Sequence, residues 1–122
     1  MRTTLLLAVF FICLSADTAI ENELQNTTWK GTFNIPEPTE GFFVFKQDTV
    51  TVMVNDYALE TMQFSTKGDT LSLTKISGDS SCGSDEGLYK YSVNGSSLKL
   101  QVLSDDCPDR SSGISTKKYV KQ

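Results

Sequence analysis

The sequence predicts an all-β protein: a single eight-stranded antiparallel up-and-down β-barrel with one disulfide. Three observations lead there. Eight short segments alternate apolar with polar residues, turn-forming residues separate most of them, and the tightest hairpin brings two cysteines towards each other.

The chain opens with Arg2, an apolar stretch from Leu5 to Leu14 and the small residues "SADTA", the layout of a cleaved secretory signal peptide. Residues 1–19 are read as that leader, with cleavage near 16–19, and residues 20–122 as one barrel domain. Ile12 precedes Cys13 where lipid modification wants a small residue, so no lipid anchor is expected. The apolar run falls short of the ~20 residues of a spanning helix. No transmembrane segment is expected, and the localisation read from the leader is secreted or periplasmic. Losing Arg2, with or without Asp17, leaves a net charge of −5 or −4, and no basic cluster is denser than Lys117-Lys118. That excludes the electrostatic footprint of a nucleic-acid binder.

After a polar lead-in come "TWKGTFN" (28–34), "FFVFK" (42–46), "TVTVMV" (49–54), "ALETMQFS" (58–65), "TLSLTKI" (70–76), "GLYKYSV" (87–93), "SLKLQVL" (97–103) and "ISTKKYV" (114–120). Their period of two is that of half-buried strands. Gln47-Asp48, Asn55-Asp56, Lys67-Gly68-Asp69 and Asn94-Gly95 supply the turns, and Pro36 and Pro38 stiffen the loop after the first strand. No helix of ordinary length is expected. Pro108 bars a ladder bond just after Cys107. A meander of eight strands leaves two open edges unless the first and last pair, which closes the barrel.

Asn-Gly favours a type I′ turn because both central residues need positive φ. With Asn94 and Gly95 as that turn, Tyr91 faces Leu98, Tyr89 faces Leu100 and Gly87 faces Val102, all on one face. Carried outward, the same register sets Cys82 opposite Cys107. In an oxidising compartment such a pair reads as a disulfide, closing a loop that stabilises the fold by about 3 kcal/mol in the chain-entropy model. A redox or metal-binding thiol pair is the alternative, but it lacks CxxC spacing and any histidine. In the second hairpin Phe43 meets Val52 and Phe45 meets Val50. In the third, Phe64 meets Leu71, Met62 meets Leu73, and Glu60 can pair with Lys75.

"TWKGTF", "CGSDEGLYKYSVNGSSLKLQVLSDDCPDR" and the closing "KKYVKQ" together resemble bacterial lipocalin-like domains of the calycin group across the mature chain. Thr27 stands where the family's G-x-W motif has glycine, and Gly31 follows Trp29 instead. The resemblance implies a lipocalin-like barrel with Trp29 at its closed end, Arg110 crossing near it, and a Cys82–Cys107 bridge. The family name narrows fold more than function; the leading functional reading is a small apolar ligand in the barrel interior, since an eight-stranded barrel can hold one.

Trp29, Phe43, Phe45, Met62, Phe64, Tyr89 and Tyr91 all fall on the inward face and are the candidate ligand-binding residues. The bland reading is that they fill the barrel themselves. Phe42, Val44 and Met53 fall on the outward face, where an apolar cluster can mark a partner surface unless Ile20 and Leu24 cover it. The partners this leaves are a small hydrophobic molecule or, in the alternative reading of a ligand-free interaction or inhibitor module, an envelope or secreted protein. Acids including Asp79, Asp85, Asp105 and Asp109 gather at the disulfide end without a calcium-loop motif. Asn26 and Asn94 begin N-x-S/T sequons, which carry meaning only in a eukaryotic secretory pathway. The chain has no histidine and no phosphate-cradling glycine loop, so neither enzymatic chemistry nor a cofactor or metal is expected.

Overall fold

A computed structural model describes residues 22–114 and 118–122. The predicted leader, Cys13 and Ile20 lie outside the described residues, as do residues 115–117 of the last predicted strand. The strands are β1 (Thr28–Asn34), β2 (Pro38–Phe45), β3 (Thr49–Val54), β4 (Tyr57–Lys67), β5 (Thr70–Gly78), β6 (Gly87–Asn94), β7 (Ser97–Ser104) and β8 (Lys118–Lys121). They form a closed antiparallel barrel in chain order, with Trp29 opposite Lys121 and Lys30 opposite Val120 across the closing seam.

One end of the barrel is sealed. Residues 22–27 fold under it: the Asn26 amide donates to Lys46 O at 3.4 Å, Gln25 Nε2 to Gln47 O at 2.8 Å, and Asn22 Nδ2 to Thr66 Oγ1. Leu24 is thereby driven into the core with no exposure, beside the equally buried Trp29, whose Nε1 donates to Thr27 Oγ1 at 2.7 Å. Above them the rings interlock. Phe45 meets Phe64 edge-on at 5.0 Å, and Phe43 lies 4.8 Å from both Phe33 and Tyr119. Gly31 makes room for this packing, since a Cβ there would sit 2.2 Å from the Tyr119 ring.

The β2–β3 register is the predicted one, Phe43 opposite Val52 and Phe45 opposite Val50. Two other hairpins are shifted by two residues from expectation: Phe64 faces Leu73, and Tyr91 faces Leu100. The cause is the choice of loop. Gly68 and Gly95 are the first residues of two-residue turns, with φ +59° and +60°, while Asn94 pairs with Ser97 in the ladder. Glycine at the first central position is the requirement of a type II′ turn, whose twist also suits a hairpin. A two-residue shift leaves every side chain on its predicted face, so Tyr89, Leu98 and Leu100 are buried as expected. Val102, also predicted inward, is 37% exposed.

The bridge is present, but not as a ladder pair. Cys82 precedes β6 and Cys107 follows β7, and the disulfide joins their two loops with 5.4 Å between Cα atoms. A further correction concerns Ile114, predicted to open the last strand: it is the final residue of helix α1 (Pro108–Ile114), while Lys118–Lys121 form β8. Pro108 does more than bar a ladder: its fixed φ suits the first helical position, and Asp109 favours the first turn. The Ser111 amide donates to Cys107 O at 3.0 Å, which closes the first turn.

Candidate functional site: the open end of the barrel

Beyond the ring cluster the barrel is not filled. A cavity of about 550 Å³ opens at the end opposite the N-terminal plug. Its base is apolar, made by the inward-facing Phe33, Val52 and Met62, all buried. Leu59, Ile35 and Ile114 extend the apolar wall upward. Helix α1 forms one side because it packs on β1, where Asn34 Nδ2 donates to Ser112 O at 3.3 Å.

The rim is polar and acidic. Glu60 shares the inward face with Met62 and Phe64, and it is only 9% exposed. Its carboxylate accepts from Ser80 Oγ at 2.7 Å and from the Ser80 amide at 3.1 Å, and pairs with Lys75 Nζ at 3.6 Å. The predicted Glu60–Lys75 pair therefore forms, although Met62 is the ladder partner of Lys75. Gly78, at φ +138°, passes so close that a Cβ would lie 2.4 Å from Glu60 Oε2. Asp79 and Asp109 complete the acidic rim. Asp109 accepts from the Ser81 amide and Oγ at 3.0 and 2.8 Å, bonds that hold its carboxyl below the ordinary range. Asp79 accepts from Tyr57, whose hydroxyl is pushed up by that bond.

Behind the rim lies a buried clasp. Arg110 Nε and Nη2 donate to the two oxygens of Asp105 at 2.6 and 2.8 Å, the Cys107 amide donates to Asp105 at 2.9 Å, and Tyr89 also donates to it. Arg110 Nη2 additionally reaches Asp85 O at 3.0 Å. Burial alone raises the Asp105 carboxyl, but the bonds from Arg110, Tyr89 and Cys107 outweigh it and hold the acid below its ordinary value. Burial and the Asp105 bond push the Tyr89 hydroxyl far up. Gly87 lets the clasp lie close against the sheet, since a Cβ there would lie 2.5 Å from Asp105 Oδ2.

The structure sorts the candidate residues. Met62 lines the cavity. Trp29, Phe43, Phe45 and Phe64 pack in the sealed half. The Tyr89 hydroxyl goes to the clasp, and the Tyr91 hydroxyl donates to Gly68 O at 3.2 Å, at the sealed end. Arg110 stands at the open end rather than across Trp29; the cation over the Trp29 ring is Lys121, 6.0 Å from the centroid. Phe42, Val44 and Met53 lie half-buried on the outer face, with Phe42 opposite Met53. Leu24 does not cover them, being part of the core. Glu60, Leu59, Ile35, Ser80 and Ile114 were not among the candidate binding residues. Glu60 carried the one readable signal, an acid in phase with an apolar face.

Among the described residues no group of three or more acidic or sulfur ligands is placed to hold a metal ion, and no helix is long and apolar enough to cross a membrane. Comparison of the chain with protein families, with curated proteins and with solved structures returns no match.

Proposed function

We propose that the protein is an exported, lipocalin-like carrier that holds one small, mainly apolar molecule in the open half of its barrel. The observation that carries this reading is the cavity of about 550 Å³, inside the ~300–1,000 Å³ range of small-molecule pockets. Its lining supports it too, an apolar base with a few polar groups gathered at the rim. Export is supported by the Cys82–Cys107 bridge, which suits an oxidising compartment. The interaction-module reading rests on the Phe42, Val44 and Met53 face, which is half-buried and so offers a weaker argument than the cavity.

The test is a titration with the neutral apolar dye N-phenyl-1-naphthylamine, read by its fluorescence. Saturable one-site binding is expected, and Val52→Trp, which fills the base of the cavity, should remove it while the far-ultraviolet circular dichroism stays that of the barrel. Absence of binding in the unaltered protein, or equal binding in Val52→Trp, would overturn the reading.

A further inference from the structure

The barrel carries its charges unequally along its axis. Among the described residues, nine carboxylates belong to the open end, from the 35–37 loop, the 55–56 turn, Glu60, the 79–86 segment and residues 105–109. Among the described residues the basic side chains there are Lys75 and Arg110 alone. At the sealed end lysines outnumber acids. The mouth of the cavity is therefore strongly negative, whereas the sealed end is mildly positive.

Both mouth cations are already paired, although Arg110 also lines the cavity. Lys75 is committed to Glu60 and donates to Ser80 O at 2.6 Å. Arg110 is neutralised by the two-pronged contact with Asp105. Its Nη1 has no hydrogen-bond partner among the described residues, but it is sealed from solvent and so presents no donor to an incoming anion. On the cavity rim, Asp79 and Asp109 remain as carboxylates without a cation bound to them among the described residues. A cleft lined by one sign of charge over low-dielectric walls concentrates the opposite sign and repels its own.

From the cavity and this charge distribution together we infer that the ligand is an amphipathic organic cation. Its apolar body rests on Phe33, Val52, Met62 and Ile114, and a protonated amine or similar head lies among Glu60, Asp79 and Asp109. An anionic amphiphile such as a fatty acid is disfavoured. This inference rests on the carrier reading above and specifies its ligand class.

The test uses three ten-carbon probes of matched length, decylammonium, 1-decanol and decanoate, each competing with N-phenyl-1-naphthylamine at neutral pH and low salt. Decylammonium should displace the dye at a concentration about tenfold below that of decanoate, with decanol between, as expected for a mouth of excess negative charge at short range. The gap should narrow in 0.5 M sodium chloride through screening. It should also narrow in the double variant Asp79→Asn/Asp109→Asn, which alters two exposed side chains and keeps their acceptor oxygens. Equal or tighter binding of decanoate, a gap indifferent to both salt and the double variant, or dye binding that none of the probes displaces would overturn the cationic assignment and leave the carrier reading standing. Failure of the dye itself to bind would remove the carrier reading, and the ligand class with it.

Discussion

Replacing Asp105 by asparagine isolates the clasp that holds α1 and the disulfide loops against the barrel. The Asp105 side chain is completely buried and that of Arg110 is 4% exposed. Asp105→Asn keeps the shape and one acceptor but leaves the guanidinium buried without a counter-charge. Breaking a buried pair from one side costs about 3–5 kcal/mol. With a urea m-value of about 1.5 kcal/mol/M for a domain of this size, the unfolding midpoint should fall by about 2–3 M. The fluorescence of Trp29, the sole tryptophan and fully buried, reports the transition. Removing the orphaned cation as well should restore part of the loss, so Asp105→Asn/Arg110→Met should be destabilised less than the two single variants summed, by roughly 2 kcal/mol or more. A single-variant loss below about 1 kcal/mol, or strict additivity in the double variant, would refute the reasoning.

Further consequences can be measured on the same protein. Cys82→Ser/Cys107→Ser opens a loop of 25 residues' separation and should lower stability by about 3–4 kcal/mol in urea unfolding; an unchanged midpoint would show that the bridge does not constrain the chain. Gly31→Ala places a methyl within 2.2 Å of the Tyr119 ring, and overpacking of this kind should cost about 1–3 kcal/mol by thermal melting. In acid, the stability contributed by Asp105 is complete above its ordinary value of 3.8 and is lost as pH falls through its lower folded value. The unaltered protein should therefore lose stability below about pH 4, and Asp105→Asn should show a flatter acid limb. Tyr89 acts in the opposite sense, its folded value being raised, so its contribution is complete below the ordinary 10.0 and is lost as pH climbs from there towards and through the folded value. Tyr89→Phe should flatten the alkaline limb of the same melting series.

How far the sequence reaches differs between elements. Strand existence and the face each side chain takes were legible because a period of two is a local property, and it survives a register shift of two residues without any exchange of inside and outside. Turn chemistry was legible at Asn55-Asp56, where both residues adopt positive φ, 51° and 62°. It was misread at Asn94, because Gly95 can open a type II′ loop as readily as it can close a type I′ loop, and strand pairing over the whole hairpin decides between them. Helix α1 escaped because seven residues, two of them serine and one glycine, show no helical apolar period. Its stability comes from Ile114 and Arg110 being buried against the barrel.

The sequence by itself determined an all-β chain with a closed meander, an aromatic interior and a cysteine pair near enough to join. Each follows from alternation, turn residues and composition, which act over a few neighbours. Only the tertiary structure decided which half of the barrel is full and which is open. That depends on Leu24 and the rings converging from strands distant in the chain, and on α1 standing aside at the other end. The acidic mouth has the same origin. Loops far apart in sequence share one end of the barrel because antiparallel strands return them there, so their charges sum in space where no local stretch of chain displays the sum.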